Sequence, residues 1–241
     1  MERLIETLRK AEYCVVFTGA GVSTLSGIQD FRGKDGLYKE KDSDKLFDIN
    51  WFDRDPSYYY DWARGAIYNL SEREPNIIHK QIARMEKEGV VKSVITQNID
   101  LLHQKGGSKD VIEIHGTPLT HSCRSCGRKT TFEKIVDQLK TKNIPKCKKC
   151  GGIMKPDITF FGESLPPKAL QKAIEESRKA DLMIILGTSL WVQPAAGIPI
   201  NTLQAGGQII IANNMKTPLD DQALLLYQDL EELFIYINEN L

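Results

Sequence analysis

The chain is short of several things, and each shortage excludes something. No run of about 18 consecutive apolar residues occurs in it, so a transmembrane helix is excluded. Met1 to Lys10 alternates charges and lacks the apolar centre of a secretory signal, so the expected location is cytoplasmic. Net charge is missing as well: 32 Lys and Arg face 32 Asp and Glu. There is then no global electrostatic footprint for nucleic acid or an anionic membrane; either partner would need a local patch, and neither is expected. Internal repeats and low-complexity tracts are absent. Five cysteines in 241 residues are too few for a disulfide scaffold, which a chain of this length does not need.

What is present reads as alternating strands and helices. Leu4, Ile5, Leu8 and Ala11 recur at helical spacing, and the apolar run Tyr13 to Phe17 that follows ends at Thr18-Gly19-Ala20-Gly21. Further short apolar runs lie at 93–96, 111–114, 182–186 and 208–212, each bounded by Gly, Asn, Asp or His. Leu170, Ala173, Ile174 and Ser177 form a helical stripe entered by Pro166-Pro167. This rhythm implies a parallel sheet covered on both faces. Two stretches break it. Residues 33–75 are rich in aromatic and charged side chains, with a helix predicted around Tyr58 to Asn69, and suggest an insertion able to cover a cleft. Residues 118–156 are rich in Lys, Arg and Cys with little apolar periodicity, so their fold needs a support other than a core.

That support is legible in the cysteines. Cys123-Arg-Ser-Cys126 and Cys147-Lys-Lys-Cys150 have the pairing and separation of a zinc ribbon, and four thiolates close a tetrahedral shell with no open position for water. One structural zinc is expected. Glycines after each pair (Gly127, Gly151, Gly152) suit the tight turns that aim amides at sulfur. The neighbouring bases Arg124, Arg128, Lys129, Lys146, Lys148 and Lys149 are read as partial compensation for the site's negative charge. A redox dithiol pair and a nucleic-acid-binding ribbon are the rival readings. Cys14, in the first strand, is expected to be a small buried side chain.

Thr18-Gly19-Ala20-Gly21-Val22-Ser23 follows a strand and opens a predicted helix, a context in which amides can cradle a pyrophosphate. Thr24 stands where a full dinucleotide fingerprint has its third glycine, and a purely structural strand-to-helix turn is the alternative. Other segments accompany it in order: Ser26-Gly27-Ile28-Gln29-Asp30-Phe31-Arg32, Thr96-Gln97-Asn98-Ile99-Asp100, His115-Gly116, the paired cysteines, Phe161-Gly162-Glu163, Gly187-Thr188-Ser189-Leu190 and Pro194-Ala195-Ala196. From Val15 to Asn213 this series resembles the sirtuin family, in the layout of its compact bacterial members.

The resemblance implies an α/β fold: a Rossmann-like parallel-sheet domain (1–32, 76–117 and 157–241) with a smaller domain inserted, made of the helical segment 33–75 and the zinc-ribbon segment 118–156. It implies an NAD-dependent enzyme that removes acetyl or other neutral acyl groups from protein lysines, giving nicotinamide, free lysine and O-acyl-ADP-ribose. NAD and acyl-lysine would enter the cleft between the domains. Ala20, Gly21, Thr24 and Arg32 would hold the diphosphate-ribose portion. Asn98, Ile99 and Asp100 would form the nicotinamide pocket with Ile28 and Phe31. Ser189 and Asn213 would lie on the adenosine side, and Thr188 would also belong to the cofactor-binding set. Gln97 would stand in the same set, either contacting the cofactor or orienting neighbours, an ambiguity shared by Asp30. His115 would be the general base, its unperturbed pKa of about 6.5 suiting proton transfer near neutrality. Phe161, Gly162, Glu163 and Val192 would bind the peptide as an added strand. His79, His103 and His121 fall outside these motifs and are read as structural.

The family members that prefer dicarboxylic acyl groups carry a Tyr-x-x-Arg pair. Tyr60-Asp61-Trp62-Ala63 aligns with it, leaving Ala63 where the arginine would be and Arg64 one residue further round the helix. Gln29 stands where a proline is usual, and Thr159 where a valine is common. The competing readings are an ADP-ribosyltransferase or NAD glycohydrolase using the same pocket, a zinc-ribbon nucleic-acid module, and a conventional dehydrogenase. Oligomeric state is not written in the sequence.

Overall fold

The computed structural model describes residues 1–33, 36–69 and 72–241. Its centre is a sheet of six parallel strands in the order β3-β2-β1-β7-β8-β9. These are β1 (Cys14–Thr18), β2 (Val91–Thr96), β3 (Val111–Glu113), β7 (Leu182–Leu186), β8 (Gln208–Ala212) and β9 (Leu225–Tyr227). Every residue of β1 and β7 is buried, the consequence of covering a strand on both faces. Val16 pairs with Val94 on one side and with Ile184 on the other. Two apolar clusters line the faces. One gathers Val16, Ile184 and Ile210 with α1 (Glu2–Lys10), α4 (Ile77–Lys87) and α9 (Leu230–Asn240). The other gathers Phe17, Ile185 and Ile211 with α7 (Pro167–Lys179) and α8 (Ile198–Gln204).

The chain runs from β1 outward to β2 and β3, then returns to β7 on the opposite side of β1. Strand order reverses there, which opens a crevice at the strands' carboxyl ends. The two strands predicted at 182–186 and 208–212 coincide with β7 and β8, and the predicted stripe lies on α7. The helix expected to open after Gly19 is instead a 3-10 helix, Ala20–Ser26, which ends at Gly27 in the left-handed conformation (φ +73).

The remainder packs around a third cluster. Residues 33–75 contribute α2 (Ile49–Arg54) and α3 (Pro56–Ala66), each with an aspartate accepting at its N-cap, Asp48 from the Trp51 amide and Asp55 from the Ser57 amide. Residues 34, 35, 70 and 71 of this segment lie outside those described. A three-stranded antiparallel sheet, β5-β4-β6, follows: β4 (Gly116–Cys123), β5 (Lys129–Thr131) and β6 (Met154–Ile158), with α6 (Phe132–Leu139) against it. The expectation that 118–156 has little core is corrected. Ile135, Leu139, Met154, Cys123 and Cys147 are buried with Phe52, Tyr59, Tyr60 and Tyr68 of the helical segment, so each supplies apolar surface the other lacks. Among the described residues, no helix is long and apolar enough to cross a membrane.

Candidate functional site

The site is built on two backbones that nearly touch. At the ends of β1 and β7, the Gly19 amide donates to the Leu186 carbonyl at 3.0 Å and the Gly21 amide to Gly187 at 2.9 Å. A Cβ on Gly21 would lie 2.7 Å from the Gly187 Cα, and one on Gly187 (φ +59) only 2.5 Å from the Val22 nitrogen. Both positions therefore require glycine. The expectation that this turn offers its amides to phosphate is narrowed: Gly19 and Gly21 have theirs engaged across the sheet.

A cavity of about 670 Å³ opens over this crossing. Its wall brings together every residue that the sequence nominated for cofactor, base or peptide: Ala20, Gly21, Thr24, Ile28, Phe31, Arg32, Gln97 to Asp100, His115, Phe161 to Glu163, Thr188, Ser189, Val192 and Asn213. His79, His103 and His121 are buried and do not line the cavity; His79 and His103 lie behind its wall, against Ser23 and Thr18. The wall also holds residues the sequence reading passed over, Arg73 and the segment Gln228 to Glu231. The latter had a local signal, because Asp229 caps α9 by accepting from the Glu232 amide at 2.9 Å.

His115 follows β3 and precedes Gly116, whose φ of +77 and 2.1 Å approach of an added Cβ to the Asp157 carbonyl leave room for no side chain. The imidazole Nδ1 lies 2.8 Å from the Gln97 carbonyl. A carbonyl only accepts, so Nδ1 carries the proton and the neutral ring presents Nε2 as its proton acceptor. Burial pulls the ring's pKa below 6.5, and the Gln97 carbonyl partly offsets it. The Thr159 amide, donating to the His115 carbonyl at 2.7 Å, fixes the backbone.

Beside it lies a polar cluster. Ser23 donates to Asp100 at 2.6 Å, and Asn98 reaches both Ser23 Oγ (3.2 Å) and the Gly19 carbonyl (3.1 Å). Burial raises the Asp100 pKa against the opposing effect of Ser23 and the Leu102 amide. Ser23 was not singled out from sequence, yet it joins the glycine turn to the Asn98–Asp100 segment. Gln97 Nε2 donates to Thr188 Oγ1 at 2.9 Å, linking β2 to the β7 loop. Asp30 turns its carboxylate onto the Gly33 amide at 2.7 Å. Phe31 packs against Tyr38 and Phe47, with ring centroids 5.4 and 5.8 Å away.

On the far wall, the Phe161 amide donates to the Phe47 carbonyl and the Ile49 amide to Phe161, so Phe161 extends the α2 entry like a short strand. Phe161 and Trp191 are 44% and 66% exposed, which leaves large apolar area on the cavity rim. The α3 reading is corrected. Tyr60 and Ala63 are wholly buried, and the Tyr60 hydroxyl donates to the Met154 carbonyl at 2.6 Å. Trp62, Gly65 and Ala66 face the cavity instead. Arg64 donates to the Leu139 and Lys142 carbonyls at 2.5 and 2.7 Å, capping α6.

The four cysteine sulfurs lie within 4.8 Å of one another, with 3.5 Å between Cys123 and Cys150 and 3.8 Å between Cys126 and Cys147. A disulfide would need about 2.05 Å. A tetrahedral zinc with bonds of about 2.3 Å wants sulfurs about 3.8 Å apart, which the cluster meets. The Lys149 amide donates to Cys147 Sγ at 3.4 Å, and with the Cys150 amide lowers that thiol's pKa, favouring the thiolate a metal needs. The reading of the flanking bases as charge compensation is corrected in part: Arg124 pairs with Asp53 at 2.5 Å and Lys129 with Asp157 at 3.6 Å.

Comparison with known proteins agrees with this geometry. The Sir2 family model matches residues 19–194. An NAD-dependent protein deacetylase of Thermotoga maritima is 44% identical over 227 residues, spanning 94% of this chain and 92% of the relative. NAD-dependent protein deacylase 1 of Archaeoglobus fulgidus is 41% identical over 218 residues, spanning 90% and 88%. Among solved structures, a Sir2 variant with a deacetylated peptide and 3′-O-acetyl ADP-ribose superposes with a TM-score of 0.94 at 42% identity, covering 99% of this chain and 97% of that one. A Sir2 structure bound to a propionylated peptide gives 0.91 at 40% identity, with the same coverage.

Proposed function

The chain belongs to the Sir2 family, the sirtuins, and from that premise we infer what its cavity does. It is an NAD-dependent protein deacetylase or deacylase that yields O-acyl-ADP-ribose, nicotinamide and free lysine. The observation that best supports this reading is the polarity of His115: with Nδ1–H engaged by Gln97, the lone pair of Nε2 is left at the wall of the cavity.

We propose His115 as the general base that takes a proton from a ribose hydroxyl as acyl transfer begins. Bound NAD supplies the leaving nicotinamide and the ribose that accepts the acyl group. Phe31, with Ile28 and Ile99, shields the reacting end from water, so that the substrate amide is the nearest nucleophile. Asp100 accepts from the nicotinamide amide, and Asn98, anchored to Gly19 and Ser23, orders its surroundings. Ala20, Gly21, Thr24 and Arg32 hold the diphosphate-ribose portion, and Thr188, Ser189 and Asn213 the adenosine side. Gln97 acts chiefly by orienting His115 and Thr188. The peptide lies along Phe161 to Glu163 and Val192, between a Rossmann-like domain (1–32, 76–117, 157–241) and a smaller one (33–75, 118–156). The four cysteines hold one structural zinc. A cytoplasmic location accords with cysteines kept as thiolates.

Neutral acyl groups are the preferred substrates. Arg64 is committed to α6, so a dicarboxylic acyl group would bury an unpaired carboxylate at a cost of several kcal/mol. The test is mass spectrometry of acetyl-lysine and succinyl-lysine peptides with and without NAD, beside His115→Ala. Expected are NAD-dependent deacetylation with O-acetyl-ADP-ribose, a loss of at least about 100-fold in the variant, and a similar disadvantage for the succinyl peptide. NAD consumption that releases only ADP-ribose, with the acetyl group retained, would sink the deacylase reading.

A further inference from the structure

Lys155 is 6% exposed, yet nothing in the reaction calls for it. Its ammonium has three N–H groups and three acceptors: Glu163 Oε2 at 2.8 Å, the Ile158 carbonyl at 2.8 Å and the Pro156 carbonyl at 3.2 Å. It also sits 4.1 Å from the centroid of the Phe160 ring. A buried cation is costly unless paired, and a well-packed apolar side chain would serve stability as well. The charge therefore calls for another explanation.

The same Glu163 oxygen that meets Lys155 accepts from the Phe160 amide at 2.9 Å, and the Glu163 amide donates to the Phe160 carbonyl at 3.0 Å. The carboxylate thus closes the turn Phe160 to Glu163 across its own backbone, with Gly162 at φ +91 within it. The sequence reading had Glu163 in the segment that pairs with the peptide main chain; its carboxylate is bonded to the Phe160 amide and to Lys155. Phe160 is packed in the core and Phe161 is hydrogen-bonded to Phe47 and Ile49, but the far end of the turn, at Glu163, lies between two spaces. On one side is the main cavity; on the other is a second of about 310 Å³ lined in part by Lys155, Ile158, Thr159, Glu163 and Ser164. A turn with a hollow behind it can sag into the hollow. Lys155 spans that gap, tying the carboxylate to the end of β6.

We infer that Lys155 is a positioning residue for the peptide: through Glu163 it holds the Phe160 to Glu163 turn in the shape against which the substrate main chain pairs. The inference rests on the deacylase reading. Most of the NAD contacts follow β1, β2, β7 and β8, which Lys155 does not touch, so its removal acts on the peptide first.

The test measures binding of a fluorescent acetyl-lysine peptide by anisotropy, with KM for peptide and for NAD, in K155M, K155R, E163Q and the K155M/E163Q double variant. K155M is expected to weaken peptide affinity about tenfold, while KM for NAD and zinc content stay within twofold. K155R restores most of the affinity because it keeps the charge, and the double variant is no weaker than K155M because both act through one contact. Peptide affinity within twofold of wild type in K155M, or parallel losses for peptide and NAD, overturns the inference. If K155M does not fold, E163Q decides, since it keeps the size of the side chain while removing the charge that Lys155 meets; unchanged peptide affinity there is equally fatal. Wild-type protein that neither binds nor deacetylates the peptide counts against the deacylase reading instead.

Discussion

At His115, burial and a single carbonyl act in opposite directions, and burial has the larger effect, so the folded pKa lies below 6.5. The sign follows directly. The base must be neutral; a depressed pKa keeps it neutral to lower pH than a free imidazole; activity is lost only as pH falls through that depressed value. The expected profile of kcat/KM for the acetyl peptide is level above about pH 6.5 with an acid limb below it. A limb centred above pH 7 would mean that the titrating base is another group or that the histidine is held as a cation. The residue type and its neighbour Gly116 were legible in the chain. The Gln97 carbonyl that sets the tautomer was not, because a backbone acceptor has no sequence signature.

At the scale of elements, the zinc module illustrates how a short stretch recruits its core. Residues 118–156 contain few apolar side chains, yet β4, β6 and α6 are buried against α2 and α3 through Ile135, Leu139, Met154 and the two inner cysteines. Cys123 and Cys147 are members of that cluster as well as metal ligands, so metal and core are coupled. Removing the metal with a chelator should raise deuterium uptake in β4 to β6 and α6, and abolish deacetylation. The fully buried strands β1 and β7 should keep their protection. Uptake that rises uniformly, or not at all, would contradict an inserted module with its own metal-dependent stability. The paired cysteines made the ligands readable from spacing; α6 was missed because its partners lie about 75 residues upstream, as in the Arg64 contact with Leu139.

Across the whole molecule, three buried histidines tie stability to pH. His79 and His121 are pushed down by burial to about 4 and His103 to about 3; His79 and His103 lie against each other with ring centroids 4.9 Å apart, while His121 sits in the inserted sheet beside Tyr68. All are neutral when folded, while an unfolded histidine protonates near 6.5. Their contribution is complete above 6.5 and is lost as pH falls toward 4, at about 1.4 kcal/mol per pH unit for each. Denaturant titrations should show lower stability at pH 5 than at pH 7, and His121→Gln should reduce that slope by about one histidine's share. A slope unaltered in the variant would show that His121 is protonated in the folded protein.

The sequence by itself determined what depends on local rules: the strand-helix rhythm, the glycine turn after the first strand, the cysteine pairs, and an ordered series of motifs specific enough to name a family. Tertiary structure decided what depends on which distant backbones meet. It put Gly21 against Gly187, turned Glu163 toward Lys155, and buried Tyr60 and Ala63 so that Trp62 faces the cavity. Side-chain identity fixes the chemistry a residue can perform, whereas direction and pairing follow from packing among segments that the order of residues does not display.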